Sequence, residues 1–530
     1  MPTIQFKGKN IIWNHHLSVP YHTLDEVEDL HYQPKKGNGN LTIEGDNLIA
    51  LKALLPQYAG KVKCIYIDPP YNTGNEGWVY NDNINSPLIK EWLGKEIGSD
   101  DLTKHDKWLC MMTPRLKLLR DLLADDGVIF ISVDDNEVSN LEIAVNEVFV
   151  DNVIGKFIWK KKQGGGNDSN LIVIEHEYVL VVAKDKNAIS FYLDKNYELS
   201  DSLYPFKDNT GEYGLITLDK SSIRFSDSLV YEITDNDGNK YMPRVIKGKQ
   251  SCWRWGKSKV ENEFDKLVLK NGKIYTKYYR PEGVILRTLL TETYHGRTET
   301  GNDDIKSLFG NSKPFDYPKP VSLIKHLLSI STYENDIILD SFAGSGTTTH
   351  AVNELNKEDG GNRKCILVQM TEASPQEPKK NICKDITRER NKPAIEKYGY
   401  NTGFKYFRVG KAIDPDKMLD GELPTYEEFA KYVYYIGTGQ HLVNTDKLDA
   451  KSHYVGTHGP KNFYLIYKQD FDKLTRMALT LSIAEKIIEH SKNKRIVVYA
   501  PACFLDNEYL EEKQIEFVSI PYNLFEKTVE

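Results

Sequence analysis

The sequence predicts an α/β fold in which a mainly parallel sheet is interrupted by a β-rich insert and followed by a smaller α/β domain. Short apolar runs, typical of buried parallel strands, alternate with helical periodicity in two separate parts of the chain. Between about residues 185 and 310 this pattern gives way to short strands and turns without a sustained helix. Because 530 residues are too many for one hydrophobic core, roughly two to four domains are expected.

The expected boundaries divide the chain into five regions. They are an N-terminal extension (1–40), the first half of the α/β core (41–185), the β-rich insert (186–309), the second half of the core (310–410) and a C-terminal domain (411–530). In the last region the pattern predicts a strand at Phe463–Tyr467, a helix at Phe471–His490 and a strand at Arg495–Tyr499. No catalytic constellation is visible there, so this domain is a candidate for dimerisation or for docking a partner.

The composition is that of an ordinary globular protein, with 40% hydrophobic and 27% charged residues. A net charge of -7 argues against a protein that coats nucleic acid non-specifically, although it leaves room for a local basic face. No run of about 18 apolar residues occurs, and Met1–Gln5 lacks the apolar core of a signal peptide. We therefore expect a cytoplasmic protein.

The sequence predicts no metal site. Six scattered cysteines without C-x-x-C spacing give neither a disulfide framework nor a zinc site. Three histidines near the N-terminus have no Cys or Asp at ligand spacing, and we expect them at the surface: His15, His16 and His22. Asp134 and Asp135 follow a predicted strand and are compatible with magnesium binding, but capping of the next helix by Asp135 or Asn136 is the interpretation we adopt.

The first half of the core begins with a strand–helix–strand unit. The pattern predicts a strand at Leu41–Ile43, a turn at Gly45–Asn47 and a helix at Leu48–Leu55 that ends at Pro56. The strand of the first motif follows. Because such crossovers are right-handed, Asp46 and Asp68 should lie at the same edge of a parallel sheet.

The stretch Cys64–Asn72 carries the first chemical motif, which ends in Asp68, Pro69, Pro70 and Tyr71. Two prolines cannot continue a strand ladder, so a carboxylate, two fixed carbonyls and a ring should lie at the carboxyl end of a strand, where open α/β sheets bind ligands. This set suits an exocyclic amino group on a flat ring: Asp68 and the Pro69 carbonyl accept its N–H groups, and Tyr71 stacks on the ring. A plain Pro-Pro turn with Tyr71 packed against the protein is the structural alternative.

Further elements of this half follow in order. Residues 72–104 are polar and come directly after the motif, which favours a mobile active-site loop. The pattern then predicts a helix at Lys107–Ala124 and strands at Gly127–Val133, Val153–Trp159 and Tyr178–Ala183, with a flexible loop at Gly164–Asn167.

Basic and aromatic residues interleave in the insert. They are Arg244, Lys247, Lys249, Trp253, Arg254, Trp255, Lys257, Lys259, Lys273, Tyr275, Lys277, Tyr278, Tyr279 and Arg280. Positive charge suits phosphates, and rings or Arg suit base edges, so the mixture is compatible with a nucleic-acid surface. A solvated β-rich domain would look similar, but the position of the insert inside an α/β sheet favours the functional interpretation.

The second motif is Asp336–Thr349, a strand that enters a Gly-rich turn and a helix. Gly344 and Gly346 allow a ligand to approach the backbone, and the helix supplies N–H groups. A P-loop is rejected because no Lys precedes the Thr residues, and a dinucleotide site is weakened by the missing third glycine. A nucleoside cofactor with an amino-acid tail and a sulfonium charge fits best, because Asp340 can balance a cation.

The next predicted strand, Cys365–Gln369, ends where ribose hydroxyls would bind. An acid is usual at that point, whereas this chain has Gln369, with Glu372 three positions later. The sequence leaves open which of the two side chains would bind the ribose.

Together the two motifs, D-P-P-Y and F-A-G-S-G-T-T, resemble those of the S-adenosylmethionine-dependent amino methyltransferases of DNA, and their order resembles the permuted β class. Several flanking segments resemble the modification subunit of type III restriction–modification systems: Thr113–Leu116, Gly127–Glu137, His176–Tyr178, Pro318–Pro320, Asn353–Thr371, Ile386–Arg390 and Gly403–Phe407. The resemblance covers roughly residues 40–185 and 300–410. It is weak over the insert and the last hundred residues, as expected for a part that recognises a particular DNA sequence.

The resemblance implies a fold, a cofactor and a set of site residues. The fold would be a Rossmann-like class I methyltransferase with circularly permuted motif order, and the insert would be the target recognition domain. Asp68, Pro69, Pro70 and Tyr71 would hold the target base. The S-adenosylmethionine site would comprise Asp46, Lys319, Pro320, Asp340, Phe342, Ala343, Gly344, Ser345, Gly346, Thr347, Thr348, Gln369 and Glu372, with Lys319 and Pro320 near the methionine end and Asp46 near the adenine ring.

The implied activity is methylation of a flipped-out adenine at N6 in double-stranded DNA by a bacterial protein. Asp at the first motif position, where cytosine-N4 enzymes of this kind usually carry Ser, favours adenine. The resemblance also implies a homodimer and a separate ATP-dependent restriction subunit; this chain has no Walker A sequence itself. The alternatives are an orphan methyltransferase without a restriction partner, an enzyme acting on cytosine N4 or RNA, and a DNA-binding module with a vestigial core.

Overall fold

A computed structural model describes residues 3–73, 101–164, 172–373 and 377–520, without 38, 102, 196, 198, 223, 311, 415–417, 419–420, 441, 443–444, 446–447 and 493. The chain forms two compact units: residues 1–192 with 287–530, and residues 193–286. The second unit lies within the range 186–309 expected for the insert, while residues 287–309 belong to the first unit. The loops expected at 72–104 and 164–167 lie largely outside the described residues.

A ten-stranded sheet organises the first unit. In chain order its strands are β1 (Tyr21–Glu26), β2 (Leu41–Glu44), β3 (Val62–Ile67), β4 (Leu123–Val133), β5 (Val153–Lys160), β6 (His176–Ala183), β7 (Leu289–Leu290), β8 (Ile337–Asp340), β9 (Lys364–Gln369) and β10 (Lys405–Ile413). Their spatial order is β1-β10-β2-β9-β8-β3-β4-β6-β5-β7. The predicted strands of both core halves therefore join one sheet.

Six neighbouring strands, from β10 to β4, run parallel to one another. Their carboxyl ends thus meet at one edge, which brings Asp68 after β3 beside Asp340 at the end of β8. Strand β6 runs antiparallel to β4, so its first residues lie at that same edge. This arrangement confirms the predicted α/β fold and its placement of both motifs.

Helices occur in both compact units. In chain order they are α1 (Lys9–Ile12), α2 (His15–Ser18), α3 (Asn47–Tyr58), α4 (Lys104–Leu122), α5 (Val138–Phe149), α6 (Lys257–Asn262), α7 (Glu292–His295), α8 (Thr298–Lys306), α9 (Val321–Ser329), α10 (Thr347–Asp359), α11 (Glu389–Tyr398), α12 (Tyr426–Thr438), α13 (Phe471–Leu474), α14 (Leu481–Ser491) and α15 (Asn507–Glu512). The predicted end of α3 at Pro56 was wrong. The helix continues to Tyr58 because the Ala59 amide still donates to the Leu55 carbonyl, at 3.0 Å.

The N-terminal region is more integrated than the sequence predicted. Strand β1 pairs with β10 at the edge of the sheet, and α2 packs against α4. His15 and His16 are consequently buried, at 6% and 8% exposure, so their expected surface position was wrong. The hydrophobic periodicity of this short segment did not indicate that it packs against the rest of the protein.

The turn after β4 is held by Asp134, not by the residues expected to cap the next helix. Its carboxylate accepts from the backbone N–H of Asn136 at 2.9 Å, and its carbonyl accepts from the N–H of Val138. Among the described residues, no group of three or more acidic, His or Cys side chains could hold a metal ion.

The second unit is a β-rich body with its own small core. A four-stranded antiparallel sheet contains the strands Phe206–Lys207, Glu212–Thr217, Leu267–Lys270 and Lys273–Tyr279. Shorter strand pairs join Asp219–Lys220 with Cys252–Trp253, Ile233–Thr234 with Lys240–Tyr241 and Val245–Ile246 with Lys249–Gln250. Buried apolar side chains from these strands and from α6 pack together. The prediction of no sustained helix between about residues 185 and 310 was wrong at the end of that range, where α8 spans Thr298–Lys306.

A four-stranded sheet forms the C-terminal region: β11 (Tyr454–His458), β12 (Lys461–Leu465), β13 (Arg495–Ala500) and β14 (Ile515–Ser519). The single helix predicted at Phe471–His490 was wrong. The chain leaves α13 after Leu474 because Leu479 pairs in parallel with Cys503, and a new helix begins at Leu481. Within the described residues, no helix is long and apolar enough to cross a membrane.

Candidate active site

The two sequence motifs meet at the carboxyl edge of β3 and β8, which are adjacent parallel strands. The β3 strand is fully buried and delivers Asp68 at the point where Pro69 and Pro70 end the ladder. The Pro70 carbonyl accepts from the indole N–H of the buried Trp108 at 2.6 Å, which fixes the turn. The site is therefore built on rigid elements.

A polar network surrounds Asp68. Its carboxylate accepts from the Tyr71 hydroxyl at 2.8 Å and from the Lys319 ammonium at 3.0 and 2.8 Å. The same ammonium lies 2.9 Å from the Tyr71 oxygen and 3.3 Å from Glu177. Glu177 also accepts from the Tyr71 hydroxyl, at 3.0 Å, and from Lys161, at 3.0 Å. Both oxygens of Asp68 are thus occupied, although a quarter of its side chain remains exposed.

Burial and opposite charge compete in this network. Burial alone lowers the pKa of Lys319, but the nearby carboxylates of Asp68 and Glu177 outweigh it, and the pKa is raised. Burial alone raises the pKa of Glu177, but Lys319 and Lys161 outweigh it, and the pKa is lowered. Burial, with Asp68 and Glu177 nearby, raises the pKa of Tyr71, so the phenol is a neutral donor. The charged forms of the Glu177 carboxylate and of the Lys319 ammonium are thus both favoured.

The Gly-rich turn between β8 and α10 forms the second part of the site. Gly344 has a φ of 50° and donates its N–H to the Gln369 side chain at 2.7 Å, and a Cβ there would lie 3.0 Å from the Phe315 ring. Gly346 has a φ of 82°, and a Cβ there would lie 2.8 Å from Asn391. Both positions require glycine: Gly344 because its backbone lies close to the Phe315 ring, and Gly346 because it packs against Asn391.

Gly346→Ala should destabilise the protein by about 2–3 kcal/mol, because a left-handed backbone and a steric conflict act together. Gly360→Ala is the matched control: it ends α10 at a φ of 74°, and nothing lies within 4 Å of a Cβ built there. We expect about 1 kcal/mol for the control. Urea denaturation of both variants measures the difference, and equal losses would show that the contact with Asn391 is unimportant.

Asp340 is buried beneath this turn without a cationic partner among the described residues. Its carboxylate accepts from the Phe342 N–H at 3.0 Å and from the Thr348 hydroxyl at 2.5 Å. Its pKa is raised to about 7, chiefly by burial and also by the nearby Asp68 charge, while the hydrogen bonds from Thr348 and Phe342 act in the opposite direction. A carboxylate placed in this way is prepared for a cationic ligand, so the residues fit a cofactor with an ammonium and a sulfonium group.

Comparison with known proteins agrees with this geometry. A family model described as a DNA methylase matches residues 62–408, which include both motifs. The chain belongs to this DNA methylase family. The predicted Rossmann-like class I methyltransferase fold with permuted motif order is thereby confirmed.

Three curated relatives of this methylase are each about a third identical to it over the aligned regions. The type III restriction–modification enzyme EcoPI Mod subunit of Escherichia phage P1 is 35% identical, over 67% of this chain and 61% of the relative. The StyLTI Mod subunit of Salmonella typhimurium is 32% identical, over 79% and 66% respectively. The type II methyltransferase M.KpnI of Klebsiella pneumoniae is 32% identical, over 65% and 84%. The chain thus spans less than two thirds of the length of the first two.

The remaining predicted cofactor residues of this DNA methylase lie around the same edge. Gln369 donates to Glu372 at 3.0 Å, so its amide joins the Gly-rich turn to an exposed carboxylate. Ala343 accepts from the Gly346 N–H, and the hydroxyls of Ser345 and Thr347 lie 3.3 Å apart. Pro320 directly precedes α9. Asp46 caps α3 by accepting from the N–H of Leu48 at 2.8 Å, which already engages one of its oxygens.

Sequence reasoning missed two contributors to the site of this methylase. Glu177 is the second residue of the antiparallel strand β6, and only the direction of that strand brings it to the edge where Asp68 lies. Arg390 is fully buried and donates to the hydroxyls of Ser345 and Thr347, at 2.6 Å each. Each of these two residues is a charged side chain within a segment that resembles the modification subunits, which could have indicated a role in the site. Their partners, however, are distant in sequence.

Proposed function

We propose that this protein is a site-specific DNA methyltransferase that transfers a methyl group from S-adenosylmethionine to N6 of a flipped-out adenine. One observation carries the proposal: Asp68, with its two prolines and Tyr71, lies at the end of the strand adjacent to the one that ends in Asp340. An acceptor for an amino group and an acceptor for a cationic cofactor are thereby placed side by side. Family membership supports the same chemistry.

When bound, the cofactor supplies a methyl group already activated by its sulfonium. The protein then has to bind and orient the amino nitrogen. Asp68 and the Pro69 carbonyl would accept the two amino hydrogens, which makes the nitrogen lone pair available for in-line attack, and Tyr71 would contact the ring. Because a base that is stacked inside a duplex cannot reach Asp68, it must be flipped out, at a cost of about a few kcal/mol.

We propose two contacts with the cofactor. Asp340 would face the ammonium of the methionine tail. Glu372 would bind the ribose hydroxyls, because the Gln369 amide already bonds to Gly344 and to Glu372 itself. Gln369 then orients the carboxylate that binds the ribose.

Modification-sensitive long-read sequencing tests the function directly. DNA from a methylation-free host that expresses this chain alone should carry N6-methyladenine at one short motif. N4-methylcytosine instead would support the cytosine alternative. Unmodified DNA, together with failure of the purified protein to bind S-adenosylmethionine in calorimetry, would contradict the proposal and favour a DNA-binding module.

Glu177→Gln should lower kcat about tenfold and change the Kd for S-adenosylmethionine less than threefold. The reason is that a target amino group must replace Lys319 on Asp68, and Glu177, at 3.3 Å, is the acceptor to which the ammonium can move. Glu175→Gln is the control, because that side chain accepts from the Gly164 N–H outside the network. A rise in KM for DNA at unchanged kcat would assign Glu177 to binding alone.

The biological setting we infer is a type III restriction–modification system in bacterial cytoplasm, in which this chain is the modification subunit, acts as a homodimer and joins a separate restriction subunit. Similarity to two Mod subunits supports this inference. Similarity to M.KpnI supports a methyltransferase that works without such a partner. Methylation of one strand only, and co-purification with the product of a neighbouring helicase-like gene, would favour the type III setting.

A further inference from the structure

A strongly basic segment stands out against the acidity of the whole chain. Residues 240–259 contain seven Lys or Arg side chains and no Asp or Glu, whereas the full sequence has a net charge of -7. The segment belongs to the second compact unit. Charge of one sign, concentrated in this way, attracts a polyanion.

The centre of the segment is a small hairpin, here called the basic hairpin (residues 245–250). Val245–Ile246 pair with Lys249–Gln250, and the connection is the two-residue turn Lys247-Gly248. Both turn residues have positive φ, 49° and 73°, as a type I′ turn requires. Asn-Gly is the preferred pair for this turn, so Lys247 is present despite an unfavourable backbone conformation.

The base of the basic hairpin is firmly anchored. Arg244, just before it, makes a bidentate ion pair with the buried Asp219, at 2.6 and 2.8 Å. The backbone N–H of Ser251, just after it, donates to the Arg244 carbonyl at 3.1 Å. The tip residues Lys247 and Gly248 are exposed, and Val245, at the start of the hairpin, keeps 64% of its surface open to solvent. A fixed base with an open tip presents side chains in defined positions.

Several basic side chains of this unit are neutralised within the protein, and others are not. Lys240 pairs with Glu232 at 2.9 Å, and outside the segment Lys277 pairs with Asp208 at 2.7 Å. By contrast, four side chains have no acidic partner among the described residues, and all four are exposed: Lys247, Lys249, Arg254 and Lys257. Two of them are on the basic hairpin, and the other two follow it closely in sequence.

We propose that the basic hairpin enters the major groove of target DNA, where Lys247 and Lys249 contact base edges, while Arg254 and Lys257 contact phosphates. A two-stranded β-ribbon fits this groove, and lysine donates to guanine N7 and O6 there. The inference rests on the proposed function, because it assigns part of the target recognition to named residues. According to this inference, the side chains of the basic hairpin help to determine which DNA sequence is methylated.

Two variants test the inference without disturbing the fold. Lys247→Asn removes a charge and supplies the residue that a type I′ turn prefers, so its thermal stability should be equal or higher. Lys249→Gln shortens a donor on an exposed strand. Together they should weaken binding to a duplex with the methylated motif at least tenfold, measured by fluorescence anisotropy. The control is Lys266→Gln, whose lysine pairs with Glu263 at 3.1 Å in the same unit.

Comparison of duplexes separates base contacts from phosphate contacts. The hairpin variants should lose more affinity for a duplex that contains the target motif than for an unrelated duplex. Arg254→Gln should weaken binding to both duplexes equally, and the salt dependence of its binding should show about one fewer ion released. Affinity within twofold of wild type for the double hairpin variant would overturn the inference. Failure of the proposed function itself is distinct, since the wild-type protein would then not bind or methylate DNA.

Discussion

Asp68→Ala is expected to abolish methyl transfer while the protein still binds S-adenosylmethionine. The side chain would be the anionic acceptor for the target amino group, and loss of one such preorganised contact typically costs about 10²–10³ in kcat. The structure adds a second loss, because Asp68 accepts two hydrogen bonds from Lys319 and one from Tyr71. Without it, the ammonium would keep only Glu177 as a carboxylate partner in the network.

Single-turnover methylation and calorimetry distinguish chemistry from binding. Asp68→Asn keeps the shape but not the charge, so it should also lose most of the rate, and its Kd for S-adenosylmethionine should stay within about threefold of wild type. Asp135→Ala is the control, because that carboxylate accepts from the exposed Tyr178 hydroxyl at the end of a neighbouring strand. Turnover near the wild-type value in Asp68→Ala would remove Asp68 from the reaction.

The part of the site that the sequence could predict is the position of the functional residues at the ends of β3 and β8. Two prolines after an apolar run fix the end of β3, and a Gly-rich turn fixes the end of β8, so both carboxylates follow from local chain geometry. Adjacent placement of Asp68 and Asp340 then needs only a parallel sheet. For the same reason, the α/β fold and the interruption by a β-rich insert were predictable.

Long-range contacts were the part that the sequence could not predict. Glu177 reaches Tyr71 only because β6 runs antiparallel to β4, and Lys319 comes from a turn 251 residues away from its partner. The burial of His15 and the break in the helix predicted at Phe471–His490 have similar causes, since each is decided by what packs or pairs from elsewhere. Local periodicity does not carry that information.

Lys319 links the two halves of the site in a way that neither motif suggests alone. Its carbonyl accepts from the Thr347 hydroxyl at 3.3 Å in the Gly-rich segment, and its ammonium bonds to Asp68. The sequence placed this residue beside the cofactor, and that role stays a prediction. A single residue in contact with both motifs can transmit occupancy of the cofactor site to the acceptor of the target base.

Asp340→Asn should weaken binding of S-adenosylmethionine about 30-fold, or ~2 kcal/mol, because a hydrogen bond to an ion is replaced by a neutral one. The same change should stabilise the free protein at pH 8. In the folded wild type the pKa is about 7, against 3.8 as the ordinary value, so the folded state holds its proton longer than the unfolded chain. Wild-type stability must therefore fall as pH rises from about 4 to 7.

Asp340→Asn is expected to raise the stability of the free protein and to lower its affinity for S-adenosylmethionine. A misfolded variant would not show both changes. The stability advantage of Asp340→Asn should be absent near pH 4 and reach up to about 4 kcal/mol above pH 7, as judged by urea denaturation. Wild-type affinity for the cofactor should rise as pH passes through about 7 and the carboxylate ionises, and the variant should lack this dependence. Asp336→Asn, just before the same strand, is the control and should leave affinity unchanged. Binding that is independent of pH in the wild type would mean that Asp340 does not face the cationic group, since a buried carboxylate cannot attract a cation before it loses its proton.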